Sequence, residues 1–165
     1  MIEKKTYIER RENLKRKLKS GKLLFIGNDE CGMNYEDNTY HFRQDSTFLY
    51  YFGISKPGLI ALIDVDENRE YIFGDNPTID SIVWTGSQPK IDELAGRCGI
   101  ENTGSITDFV SKVGTFAKGN IRFLPPYRAE HKLKLQEWFG YNPNQVSAKA
   151  DIELITAIAN QRNIK

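Results

Sequence analysis

At 165 residues, with 39% hydrophobic and 27% charged side chains, the chain is sized for one domain that buries a real core. Lys and Arg total 23 against 22 Asp and Glu, a net charge of +1, so the clustered cationic surplus that a nucleic-acid backbone calls for is missing. Cys31 and Cys98 are far apart and belong to no CxxC pair, which excludes zinc and thioredoxin-like readings and fits a reducing cytosol.

Residues 5–20 are predicted to form a helix, with Tyr7, Leu14 and Leu18 on one face and Gly21 as its stop. Glu3, Glu9 and Glu12 interleave with its Lys and Arg residues, so the charges are expected on a solvated face. This N-terminus has no apolar core of a signal peptide, and no run approaches a membrane span, so a soluble, cytoplasmic protein is expected. The apolar run at 22–27 predicts a buried strand, and the polar stretch 28–39 a loop. Two β-type runs, "GLIALIDV" and "REYIFG", joined by "DEN", predict a hairpin. Helices are predicted at 91–99 and 106–114, both ended by Gly, then a strand in "NIRFLPP" closed by Pro125-Pro126. Two more follow at 130–140 and 151–162, the second with Asp151 as N-cap. Early strands followed by alternating strands and helices predict an α/β layered domain with a mixed sheet and helices on both faces.

Four arrangements approach known chemistry and fall short. Gly27 and Gly32 have the outline of a phosphate-binding loop, but Met33 and Asn34 stand where Lys and Ser or Thr are needed, and Asp29 and Glu30 would repel phosphate. Asp64, Asp66 and Asn68 begin like a calcium loop, but Arg69 occupies the position that demands Gly. The two histidines, His41 and His131, lie in no HExxH arrangement. A nuclease-like cluster of Asp29, Glu30, Asp45 and Asp64 would need a basic substrate track, which the charge balance does not supply.

The segment "NTYHFRQDSTFLYYFGI" (38–54) sets a polar knot, Arg43-Gln44-Asp45-Ser46, among aromatics. Asp45 or Ser46 is placed to cap a short helix, and Phe48, Tyr51 and Phe52, at i, i+3 and i+4, share an inward face closed by Gly53. Arg43, flanked by aromatics, is expected to be part-buried against a carboxylate or backbone carbonyls. That would make the segment an ion-paired lock rather than a ligand contact.

The same residues resemble the N-terminal domain of aminopeptidase P and its creatinase/prolidase relatives. The resemblance is carried by Phe42, Arg43, Gln44, Asp45, Ser46, Phe48, Tyr50 and Gly53, followed by Pro57 and the apolar strand from Gly58. Tyr51, Phe52 and Ile54 depart from the usual Leu, Thr and Phe of this motif. Further on, Trp84-Thr85-Gly86 resembles a Trp-Thr-Gly segment of the family. Arg162, Ile164 and Lys165 resemble the start of its Arg-x-Ile-Lys-Ser pattern.

The resemblance implies a single N-terminal domain over residues 1–165, an α/β/α sandwich with a mixed sheet of ribonuclease-H-like topology. It further implies a separate catalytic domain of pita-bread fold after Lys165, whose two divalent metal ions, usually manganese, activate the water that attacks the bond before a proline. No catalytic or metal-binding residue is expected in this chain. Its expected partners are that catalytic domain, a peptide with proline at the second position, and further copies of itself. Neither nucleic acid nor membrane is expected. Trp84 is the implied functional residue, reaching toward a neighbouring subunit's active site; the alternative is that it packs in its own core. A prolidase, a creatinase-like hydrolase and a stand-alone peptide- or protein-binding module are the other readings.

Overall fold

The computed structural model describes residues 2–35, 37–117 and 120–162, with every side chain there except those of Ser81 and Thr85. Among them, five strands form one mixed sheet: β1 (Lys22–Ile26), β2 (Ile60–Asp64), β3 (Arg69–Phe73), β4 (Asn102–Gly104) and β5 (Ile121–Phe123). Their order is 4-3-2-1-5, with β1, β2 and β3 antiparallel, β4 parallel to β3 and β5 parallel to β1. Alternation assigns each strand's side chains to two layers. Leu23, Phe25, Ala61, Ile63 and Ile72 face one core, while Leu24, Ile60, Leu62 and Phe73 face the other. The central strand β2 is buried at every position because helices cover both of its faces.

The first layer holds α1 (Lys4–Leu18), α2 (Ser46–Phe52), α4 (Ile91–Cys98) and α7 (Ile152–Gln161). The second holds α5 (Ile106–Ala117) and α6 (Ala129–Phe139). The three-layer α/β/α fold with a mixed sheet therefore stands as the sequence implies.

Several local expectations need correction. The charged face of α1 is not simply solvated: Arg11 is 1% exposed. Its guanidinium donates to Glu70 (2.8 Å) and to the carbonyls of Tyr51 (3.0 Å) and Cys98 (2.9 Å). Lys15 is also buried and pairs with Glu70 at 3.2 Å. A buried cation is tolerable only when its donors are satisfied, and here the partners come from three other elements. Helix α1 ends at Leu18, with Lys19 rather than Gly21 taking the first left-handed position (φ 63°). Helix α5 continues through Gly114 to Ala117, since Val113 and Phe116 bury against the second core. Three short elements lay outside the sequence-based expectation: α3 (Ile79–Thr85), β4, and a 3-10 turn at Val146–Lys149.

Candidate functional site

The knot at 43–46 folds as a cap. Asp45 Oδ1 accepts the free N–H groups of Thr47 (2.9 Å) and Phe48 (2.8 Å), the interaction that starts a helix here. Phe48, Tyr51 and Phe52 then lie buried on one face of α2, with Phe25 meeting Tyr51 and Phe52 at ring separations of 5.6 and 5.5 Å. Gly53 ends the helix at φ 65°, and Tyr7 lies across the place a Cβ would occupy, so no other residue fits without movement. Tyr50 projects sideways, donating to the Gln161 carbonyl at 3.1 Å and carrying Arg10 over its ring at 3.9 Å.

Arg43 does not do what its neighbours suggested. Its side chain is exposed and reaches only Ser46 Oγ, at 3.4 Å, so the part-buried, ion-paired lock expected of it is not present. The lock belongs to Gln44, 1% exposed. Gln44 Oε1 accepts from the N–H groups of Asn28 (2.7 Å) and Asp45 (2.9 Å), and Nε2 donates to the Lys56 carbonyl (2.7 Å). One neutral amide thereby ties the end of β1, the start of α2 and the approach to β2. Gly27 packs directly against this amide, and a Cβ there would lie 2.8 Å from the Leu59 carbonyl oxygen. Ser46 is exposed and Phe42 part-exposed, beside the exposed His41 and Tyr40.

Trp84 lies elsewhere, on α3. It is 87% exposed, so the alternative that it packs in the domain's own core does not hold. Ile79 (81%) and Val83 (74%) are exposed with it, giving a short helix with an uncovered apolar surface. Gly86 follows in the left-handed region at φ 81°. The side chain of Thr85 and residues Ile164 and Lys165 lie outside the described residues, and Arg162 Nη2 donates to Thr47 Oγ1 at 2.5 Å.

The near misses resolve into structural roles. Asp29 pairs with Lys134 at 2.6 Å. At the hairpin tip, Asp64 pairs with Lys22 (3.2 Å), Asp66 accepts the Gly21 N–H (3.1 Å) and Asn68 accepts from Lys15 (2.8 Å). Among the described residues no group of three or more His, Cys, Asp or Glu side chains is placed to hold a metal ion. Nor is any helix long and apolar enough to cross a membrane.

A family model described as "Aminopeptidase P, N-terminal domain" matches residues 7–123. Residues of this chain are 33% identical, over 86 positions, to intermediate cleaving peptidase 55, mitochondrial, of Arabidopsis thaliana, covering 52% of this chain and 17% of that protein. A Xaa-Pro dipeptidase of Pongo abelii is 24% identical over 105 positions, covering 63% and 21%. Among solved structures, an aminopeptidase P from E. coli superposes with a TM-score of 0.73 at 17% identity, over 85% of this chain and 33% of its own. The aminopeptidase PepP of Pseudomonas aeruginosa gives 0.73 at 17% identity, over 91% and 35%. These structural likenesses fix the fold. The chain spans about a fifth of the length of the curated relatives it matches, and about a third of the solved structures.

Proposed function

The chain belongs to the family of aminopeptidase P N-terminal domains, and from that premise we propose that it is the substrate-gating and oligomerisation domain of a cytoplasmic, metal-dependent Xaa-Pro aminopeptidase. On this reading a separate catalytic domain holds the two divalent metal ions, with manganese the proposed metal. The present chain supplies no ligand to them and no group that moves a proton in the reaction. Its part is to shape access to the peptide whose second residue is proline, and to bring subunits together.

The observation that carries the proposal is the exposure of Trp84. A large apolar ring held in water on a short helix, next to Ile79 and Val83, gains by being covered by another surface. An indole offers a rigid wall for a prolyl ring or a neighbouring side chain at small entropic cost. The segments that flank α3 are anchored at their base: Asn76 Oδ1 accepts the Ile91 N–H (2.8 Å) and Lys56 donates to the Asp75 carbonyl (2.7 Å).

Trp84→Ala in the complete enzyme tests this. The variant is expected to lose at least about tenfold in kcat/KM on Xaa-Pro peptides, the effect of roughly 1.4 kcal/mol of transition-state contact. The melting temperature of the isolated chain should not move. Unchanged kinetics together with unchanged assembly would remove Trp84 from the gate. A prolidase is the second reading, favoured by the likeness to the Xaa-Pro dipeptidase. Comparing dipeptide with longer Xaa-Pro substrates separates the two.

A further inference from the structure

Where the parallel strands β1 and β5 end, a cavity of about 230 Å3 opens between the two helical layers. Ligands of α/β sheets characteristically sit outside the carboxyl ends of parallel strands, in apolar pockets with a few polar groups. Leu24, Ile26, Phe123, Leu135 and Ile155 belong to the apolar lining. Asp45 is the only charged side chain in it, since burial lowers the pKa of His131 and keeps that ring neutral at pH 7.

The structure fixes where the Asp45 carboxylate stands. Oδ1 accepts the N–H groups of Thr47 (2.9 Å) and Phe48 (2.8 Å), Oδ2 accepts the Tyr127 hydroxyl (3.2 Å), and Thr47 and Tyr127 line the same cavity. The backbone of Asp45 is used elsewhere: its N–H donates to Gln44 Oε1 and its carbonyl accepts from Leu49, both at 2.9 Å. The carboxylate is therefore the polar group that Asp45 brings to the cavity wall. A carboxylate accepts about four hydrogen bonds, so the three it has leave room for another. All three donors are uncharged. Arg43, Lys134 and Arg162, on the segments around it, are engaged by Ser46 (3.4 Å), Asp29 (2.6 Å) and Thr47 (2.5 Å). Among the described residues no cation pairs with Asp45.

An apolar chamber with one carboxylate and no counter-ion selects its occupant by charge. An anion is repelled, and a wholly apolar molecule would cut the carboxylate off from water without a compensating partner. An ammonium on an apolar body meets both demands. It brings a positive charge and three donors to Asp45, and sets its hydrocarbon part against Phe123, Leu135 and Ile155. The volume lies below the roughly 300–1,000 Å3 of sites for drug-sized ligands, which suits a small free amine rather than a peptide.

We propose that this cavity is a binding site for a compact amphiphilic amine, a ring on a short chain that ends in a primary ammonium paired with the Asp45 carboxylate. The site uses none of the residues assigned to the gate and stands whether or not the gating reading does.

The test is a titration of the isotopically labelled chain by heteronuclear NMR with 2-phenylethylamine and, separately, with 2-phenylethanol, which has the same skeleton but no charge. The amine is expected to bind with a dissociation constant on the order of 1 mM or tighter, shifting the amides of Thr47, Leu124 and Leu135. Loss of the charge-assisted hydrogen bond should leave the alcohol roughly tenfold weaker. Asp45→Asn keeps an acceptor to cap α2 but removes the charge, and in this variant the amine should bind no better than the alcohol. Absence of amine binding, equal affinity of the two ligands for the parent chain, a preference for the amine that survives Asp45→Asn, or shifts confined to other residues would overturn the proposal. The ligand pair decides this even if Asp45→Asn fails to fold.

Discussion

Replacing Arg43 by Ala should leave the unfolding free energy within about 0.5 kcal/mol of the parent, because its guanidinium is exposed and makes one long contact with Ser46. Gln44→Ala should cost about 2–4 kcal/mol, since it removes three hydrogen bonds and strands the buried N–H of Asn28. Urea denaturation of the two variants side by side reads both numbers, and equal losses would contradict this division of labour. The motif was legible as a structural device, and the capping role of Asp45 follows directly from residue type and spacing. Which of two neighbouring side chains turns inward was not legible, since aromatic neighbours surround Arg43 and Gln44 alike along the chain. Arg11 hid for a different reason: its carboxylate partner, Glu70, is 59 residues away.

His131 adds a pH dependence at the same scale. Burial lowers its pKa first, with the Lys134 charge acting in the same direction, while the hydrogen bond to Gly27 and the Glu130 and Asp29 carboxylates act against them. The unfolded imidazole titrates near about 6.5. Its stabilising contribution is therefore complete above that value and is lost as pH falls from there toward the lower folded value, where only the unfolded chain takes up a proton. Denaturation midpoints should fall as pH drops below about 6.5 for the parent chain, and much less for His131→Gln, which keeps a donor for Gly27 but does not titrate. Identical slopes would show that His131 is not the group responsible.

At the level of elements, α7 shows how one residue serves two structures. Asp151 caps the helix through the Leu154 N–H (2.7 Å) and receives both sides of the buried Arg122 guanidinium, at 2.9 and 3.0 Å. Burial of Asp151 works against its charged form, yet the hydrogen bonds from Arg122 and the Leu154 N–H prevail and hold the carboxyl below its usual range. Arg122 also donates to the carbonyl of Ser20 at 3.0 Å, joining the exit of α1 to β5 and α7. Asp151→Ala should cost about 3–5 kcal/mol, well beyond the roughly 1 kcal/mol of a lost cap, because a buried cation loses its bidentate partner. A loss near 1 kcal/mol in urea denaturation would mean that Glu153, already 2.7 Å from Arg122, takes over.

The long elements were legible because their apolar spacing and caps agree. Helix α7 carried a cap residue and a period near 3.6, and the hairpin carried two β-type runs around a polar turn. Strand β4 was not, because Asn102-Thr103-Gly104 has the composition of a turn; it is a strand only because β3 offers an edge beside it. The end of α5 was misplaced because Gly114 is a weak stop when Val113 and Phe116 have a core to reach.

For the whole molecule, the layered α/β fold and the family are established, and two features stand out among the described residues. One is the apolar side of α3 around Trp84, the other the cavity beside His131. The first is read as the contact through which this domain limits access to, and completes, a neighbouring catalytic site. The most direct test is an assay of Xaa-Pro peptide cleavage, with added manganese, comparing the complete product of the gene that encodes this chain with residues 1–165 alone. Cleavage by the complete product and none by residues 1–165 is the predicted result. Hydrolysis by the 165 residues themselves, or an inactive complete product, would contradict it.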